Sequence, residues 1–182
     1  MITQLPKFFL ILLLMSGYFI SAMEHSQTSL VSIQDYNEAT DKETVNAIYA
    51  KNWPFLCVGR DYDEKIVDIL IGPDSCPEAP KSVKVLHDNN HVRGFVTYYH
   101  QVPQNRGYIE QLAIQTEYQK KGFGLQLMKY AIETLKQNDI EKILIYVRKN
   151  NIPALTLYEK LGFSEHTSAI KDTSWELTLR CK

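Results

Sequence analysis

From Gln119 to Gly124 the chain reads QKKGFG, and an apolar periodic run follows directly. Such a stretch can do one kind of chemistry without any special side chain. If a strand precedes it and a helix follows, the turn aims backbone N–H groups and the positive end of the helix dipole at one point, which suits a phosphate or pyrophosphate. Lys120 and Lys121 would add positive charge around that point. The plain alternative is a strand-to-helix turn with no ligand. Two better-known phosphate motifs are excluded: there is no G-x-x-x-x-G-K-[ST], and G-x-G-x-x-G would need glycine at position 127, where Leu127 stands.

Other residue types that could carry chemistry form no such pattern. His25, His87, His91, His100 and His166 make no i,i+4 pair on a helix, and His87 and His91 flank the turn Asp88-Asn89-Asn90, so no metal site is expected. Cys57, Cys76 and Cys181 are an odd count without metal spacing; a Cys57–Cys76 disulfide with Cys181 free and three free thiols both fit. A net charge of -1 over 182 residues, with no dense Lys/Arg block, leaves no electrostatic footprint for nucleic acid. Any polyanion site is therefore local, which favours a small phosphate-bearing ligand.

The elements that must position the QKKGFG turn alternate between strand and helix signals from about Thr28. LVSI (Leu30 to Ile33) reads as a first strand, and Thr40 or Asp41 caps a helix through Val45, Ile48 and Tyr49 that ends in an apolar loop at Trp53, Pro54, Phe55 and Leu56. A second helix is expected from Asp63 through Leu70, then a proline-rich loop, PDSCPEAPKS. SVKVLH, HVRGFVTYYH and YIEQLAI follow as three antiparallel strands joined by hairpins. After the glycine turn, Leu125, Met128, Ile132 and Leu135 step by three and four as the core face of a helix, with Gln126, Lys129, Glu133 and Lys136 opposite. KILIYV has no polar alternation and reads as a central strand. Asn150 and Asn151 cap a helix with Pro153 in its first turn and Gly162 at its stop, and WELTLR alternates as a half-buried last strand. This order is α/β with a mixed sheet, long enough for one well-buried core.

The N-terminus stands apart from that domain. Residues 1–22 place a lysine, a solid apolar run from Phe8 to Met15, and the small residues Ser21 and Ala22 ahead of Glu24, the layout of a secretory signal peptide. The run is shorter than the roughly 20 apolar residues of a spanning helix, so a short membrane anchor is the second reading. A third is translation from Met23, which would leave a cytoplasmic protein. Export or anchoring is the expected localisation, and the anchored form would associate with a membrane through its N-terminus.

YIEQLAI ahead of Q-x-x-G-x-G, KILIYVRKNN behind it and NIPALTLYEKLGF beyond occur in an order and spacing that resemble the GNAT superfamily of N-acetyltransferases, over essentially the whole chain from about Leu30 to Leu179. The resemblance implies a single domain over residues 23–182. Its fold would be a mixed, mostly antiparallel sheet of six to seven strands with helices on both faces, splayed between the fourth and fifth strands. It also implies acetyl-CoA as co-substrate, with no metal.

Position by position, Gln119, Lys120, Lys121, Gly122, Phe123 and Gly124 match the family's pyrophosphate-binding turn. The strand Tyr108 to Ile114 matches the family's fourth strand, which carries a bulge and whose backbone groups near Leu112 and Ile114 pair with the pantetheine arm; an amide there can polarise the thioester carbonyl. Asn151 matches an asparagine that contacts the pantetheine or cysteamine region; its plain alternative is a helix N-cap, and it could do both. Tyr158, in Leu157-Tyr158-Glu159-Lys160-Leu161-Gly162-Phe163, matches the tyrosine placed to protonate the leaving thiolate; a phenol suits that task because its pKa lies near that of the thiol. Glu110 is the nearest carboxylate for a base. Where certain protein N-terminal acetyltransferases carry a catalytic glutamate on the fifth strand, this chain has Tyr146, which leaves Glu110, Tyr146 or ordered water as candidates.

For the acceptor, Trp53, Phe55 and Tyr62 with Asp61, Asp63 or Glu64 could line a cation-drawing pocket, and a buried loop with a solvated acidic helix start explains the same residues. The expected function is transfer of an acyl group, acetyl first, from acetyl-CoA to a primary amine of a small molecule or protein. The alternative is an exported, catalytically inactive module of the same fold.

Overall fold

The computed structural model describes residues 30–56, 81–169 and 173–181. Seven strands form one sheet: β1 (Val31–Asp35), β2 (Ser82–Asp88), β3 (His91–Gln101), β4 (Arg106–Ile114), β5 (Lys142–Arg148), β6 (Ser164–Ala169) and β7 (Ser174–Arg180). Their spatial order is β1-β2-β3-β4-β5-β7-β6, and every adjacent pair is antiparallel except β4 with β5. Three α-helices, α1 (Glu38–Leu56), α2 (Phe123–Lys136) and α3 (Ile152–Lys160), and two short 3-10 helices, Val102–Gln104 and Thr116–Tyr118, complete the described chain. The helix expected from Asp63 to Leu70, the proline-rich loop, and the whole N-terminal segment lie outside the described residues. No described helix is long and apolar enough to cross a membrane.

Helices cover both faces of the sheet. Val45, Ile48 and Tyr49 of α1 pack with Val85, Val92, Phe95 and Ala113, and the register Val85↔Phe95↔Ala113 lines three of these up across β2, β3 and β4. The other face holds Leu127, Met128, Ala131, Ile132 and Leu135 of α2 against Leu86, Val96, Ile109, Ile143 and Ile145, joined by Tyr158 of α3 and Phe163. The β2–β3 hairpin closes through Asn89 and Asn90, whose φ angles of 50° and 63° suit the two-residue turn that matches strand twist.

Four local expectations are corrected. α1 begins at Glu38, not after Thr40 or Asp41: Asn37 Oδ1 accepts the Ala39 N–H at 3.0 Å, and Asp41, buried inside the first turn, accepts the Asn37 N–H at 2.9 Å. α1 also continues through Trp53, Pro54, Phe55 and Leu56. Trp53 packs edge-on to Tyr49 at 5.6 Å, and Leu56 joins the same cluster, so tertiary burial outweighs the donor lost at Pro54. On α2, Met128, Ile132 and Leu135 are buried as expected, but Leu125 is 36% exposed and the first turns of the core face are Phe123 and Leu127 instead. On β7, Thr178 is buried where a polar outward face was expected, because β7 lies inside the sheet between β5 and β6.

The feature that positions the site is the parting of β4 from β5. Their parallel pairing runs only from Arg106↔Lys142 to Ile109↔Ile145. At that point β4 is also irregular toward β3: Tyr98 faces Ile109 but Thr97 faces Gln111, so Glu110 is an extra residue. A bulge of this kind bends its strand and increases its local twist, which carries Gln111 to Ile114 away from β5.

Candidate active site

The turn into α2 has two left-handed residues, Lys120 at φ 61° and Gly122 at φ 86°. An added Cβ at Gly122 would meet nothing within 4 Å, so the glycine is required by its backbone angle and not by crowding. The first intrahelical bond is Gln126 N–H to the Gly122 carbonyl at 3.1 Å, which leaves the N–H groups of Phe123, Gly124 and Leu125 without an intrahelical acceptor. Gly122, the N-cap, supplies no side-chain cap. This end is open to an anion by construction.

Gln119 does not join that set through its backbone, since its N–H is bonded to the Thr116 carbonyl at 3.3 Å. Its side chain instead donates to the Ile114 carbonyl at 3.3 Å and to Asn52 Oδ1 at 3.4 Å, tying the turn to β4 and α1. The Phe123 side chain turns into the core beside Tyr118, so only its N–H is on offer. Lys120 and Lys121 are exposed; Lys121 Nζ sits 4.3 Å from the centroid of Tyr118, and the Arg93 guanidinium 3.9 Å from it. These cations concentrate positive charge at the turn without composing the cradle.

Beyond Ile109 the free edge of β4 faces the gap. Gln115 N–H donates to the Arg93 carbonyl at 2.8 Å; by antiparallel alternation Ala113 and Gln111 direct their backbone groups to β3, and Leu112 and Ile114 direct theirs into the gap. The Ile114 carbonyl is held there by Gln119 and by Asn52 Nδ2 at 3.3 Å. Asn52 was missed by sequence reading: it is a mid-helix polar residue 62 positions before the group it bonds. Gly124 closes the corner, for a Cβ on it would lie 3.5 Å from Leu157, 3.7 Å from Ile114 and 3.9 Å from Leu112.

The gap opens into a cavity of about 700 Å³ between the start of α2, β4, β5 and α3, with Asn52, Phe55 and Leu56 of α1 on its wall. Tyr158, Asn151, Glu110, Leu112, Ile114, Gly122, Gly124, Leu125 and Tyr146 all line it. Asn151 caps α3, accepting the Ala154 N–H at 3.3 Å, while still facing the cavity. Tyr158 is 5% exposed and packs on Phe163, and burial pushes its phenol pKa well above the ordinary value. Glu110 forms an ion pair with Lys81, whose side chain is 6% exposed. The Tyr146 hydroxyl donates to Glu176 Oε2 at 2.6 Å, and burial first, then Glu176, holds its pKa up to about 12.

Of the proposed acceptor lining, Phe55 reaches the cavity and Trp53 serves the α1 core instead. Tyr62, Asp61, Asp63 and Glu64, like Cys57 and Cys76, lie outside the described residues. Cys181 is a free thiol whose pKa burial raises. Among the described residues no three His, Cys, Asp or Glu side chains converge as a metal site.

A helix start open to an anion, opposite a free strand edge and a buried phenol, makes a groove for an elongated ligand with an anionic end and a narrow arm. The family profile described as acetyltransferase (GNAT) matches residues 36–163, and the chain belongs to that family. N-alpha-acetyltransferase 30 from Xenopus laevis is 41% identical over 58 residues, which are 32% of this chain and 21% of that protein. The [ribosomal protein bS18]-alanine N-acetyltransferase of Escherichia coli is 36% identical over 56 residues, 31% of this chain and 38% of that one. The match thus spans well under half the length of these curated relatives. The fold extends further: the crystal structure of the ribosomal-protein-S18-alanine N-acetyltransferase from Escherichia coli has a TM-score of 0.62 over 84% of this chain and 95% of that one, at 21% identity. A putative acetyltransferase from Salmonella typhimurium, solved with its cofactor acetyl-CoA, has a TM-score of 0.64 over 85% of this chain and 95% of that one, at 16% identity.

Proposed function

We propose that the chain is an acetyl-CoA-dependent N-acetyltransferase that acetylates a primary amine of a small molecule or a protein by direct attack on the thioester. One observation carries the reading: the open start of α2, the free edge of β4 and Tyr158 share a single cavity. Acetyl-CoA supplies an activated acyl group and a thiolate leaving group. The N–H groups of Phe123, Gly124 and Leu125 receive the pyrophosphate, and Lys120 and Lys121 screen its charge. Backbone groups of Leu112 and Ile114 hold the pantetheine arm, with Asn151 beside it, and an N–H on this edge steadies the oxyanion as the amine attacks. A base drawn from Glu110, Tyr146 or ordered water takes a proton from the acceptor. Tyr158, kept neutral by burial, donates its hydroxyl to the departing sulfur. Because burial makes it a weaker acid than an ordinary phenol, its contribution shifts from full proton transfer toward a hydrogen bond that strengthens as charge reaches the sulfur.

The alternative of a catalytically inactive module finds no support in the comparisons, and Gln119, Gly122, Gly124, Asn151 and Tyr158 all remain in place. The test is direct. Acetyl-CoA at about 100 times its dissociation constant should stabilise the purified chain by about 2.7 kcal/mol through mass action. A panel of amines, peptides and amino sugars should then provoke thiol release. Stabilisation without release from any acceptor would return the inactive module, and no stabilisation would remove the proposal. Export or anchoring through residues 1–22 belongs to the same proposal, and N-terminal sequencing of protein from its native cell fraction distinguishes both from a start at Met23.

A further inference from the structure

Two carboxylates stand near the parting of β4 and β5, and they differ in what already occupies them. Glu110 is paired with the ammonium of Lys81, itself almost wholly buried, so its charge is compensated within the protein. Glu176, on β7, meets only a neutral hydroxyl among the described residues: Tyr146 Oη, its cross-strand neighbour in register, at 2.6 Å. Tyr146 sits one residue past the last β4–β5 pair, Ile109↔Ile145, and lines the cavity. A phenol has one proton and two acceptor sites. With that proton given to Glu176, the acceptor sites of Tyr146 Oη are what remain for a donor entering the cavity.

We propose that Tyr146 and Glu176 form the proton relay that deprotonates the acceptor amine. In this step an N–H bond of the acceptor breaks and its proton passes to Tyr146 Oη, while the Tyr146 O–H proton passes to Glu176 Oε2. The nitrogen keeps the electron pair with which it attacks the thioester carbon. Tyr146 is regenerated as a phenol, and Glu176, now a carboxylic acid, returns its proton to water after the product leaves. Tyr146 is then the catalytic residue of the pair, and Glu176 is a positioning residue that fixes the hydroxyl and holds the proton. The inference rests on the N-acetyltransferase reading and names the base among the candidates that reading leaves open.

The surroundings agree with a neutral relay and not with a free tyrosinate. The Tyr108 ring lies 5.7 Å from that of Tyr146, and Tyr99 stacks on Tyr108 at 5.1 Å, so the phenols form an aromatic wall. Burial and Glu176 oppose ionisation of Tyr146, and only the charge of Arg106 favours it. Glu110 with Lys81 completes the charged groups facing this wall from β4 and the chain before β2. A phenol kept protonated has little strength as a base by itself; coupled to a carboxylate it passes a proton without ever carrying the charge.

The experiment uses the full chain, acetyl-CoA, and the amine that gives the strongest thiol release. Tyr146→Phe and Glu176→Gln should each lower kcat about 10²-fold, the double variant no further than the worse single, with the acetyl-CoA thermal shift unchanged. Glu176→Gln should also abolish the acidic limb of kcat/KM against pH. It should bring the Tyr146 ionisation, read by ultraviolet difference absorption against Tyr146→Phe, down from about 12 toward the ordinary 10. The relay is overturned if Glu176→Gln keeps turnover within threefold and retains the acidic limb, or if the two single losses multiply in the double variant. Loss of the limb in Glu110→Gln alone would return the base to Glu110 and leave the N-acetyltransferase reading standing. Absence of acetyl-CoA stabilisation in the unaltered chain would remove both.

Discussion

The two sides of the cavity are built from different materials. The side proposed for the donor is backbone: N–H groups at the start of α2 and the free edge of β4 from Leu112 to Ile114. The side proposed for the acceptor is side chains brought together from distant parts of the chain: Glu110 with Lys81, and Tyr146 with Glu176. A backbone site depends on chain geometry and is broken by bulk or by a wrong φ. A side-chain site depends on which partners meet, and a single oxygen-to-nitrogen or hydroxyl-to-hydrogen change disables it with little disturbance of the fold.

The sharpest way to break this contrast is Gly124→Trp. A Cβ alone would fit at ordinary contact distance, but an indole would fill the corner between Leu157, Ile114 and Leu112. Acetyl-CoA affinity should fall more than about 100-fold, while Gly124→Ala stays near the unaltered value; calorimetry reads both, and equal losses would mean that the corner is not part of the donor site. Next in size, Tyr158→Phe should keep acetyl-CoA binding and lower kcat about 10²-fold. Its raised pKa fixes a sign: the phenol stays protonated through pH 10, so its ionisation imposes no basic limb below that, and the stability it contributes is complete below about pH 10 and declines as pH rises further. A basic limb below pH 9 that disappears in Tyr158→Phe would contradict this.

Smaller effects sharpen the acceptor side and the rim. If Glu176 terminates the relay, Glu110→Gln should cost less than about tenfold in kcat and keep the acidic limb, since Glu110 is already paired with Lys81. Lys120→Ala and Lys121→Ala should weaken acetyl-CoA binding by no more than about threefold each, and the loss should shrink as salt is raised, because both side chains are exposed. A larger loss from either lysine than from Gly124→Trp would reverse the assignment of the donor site to backbone.

The donor side was legible because its demands fall on consecutive residues. A turn that needs positive φ and an uncapped helix start writes itself as Gly122 and Gly124 before an amphipathic run, and its strand and helix neighbours come in fixed order. Errors arose where several residues offered the same local service. Asn37, Thr40 and Asp41 are all good caps; β1–β2 pairing decided among them, since Tyr36 N–H still bonds the Val83 carbonyl at 3.2 Å and the helix starts directly after. Pro54 looked like a stop because propensity weighs one residue at a time, whereas Trp53 and Leu56 hold the last turn on a core that no local window contains.

What the sequence by itself determined about this protein is the order of its elements, the family to which they belong, and the glycine turn of the donor side, all set by local backbone requirements and short-range periodicity. Only the tertiary structure decided that Asn52 would reach Ile114, that Glu110 would be spent on Lys81, and that Tyr146 would meet Glu176 across 30 residues of chain. Those partners are chosen by sheet order and by the bulge in β4, and such long-range register leaves no periodic trace in the residues that it brings together.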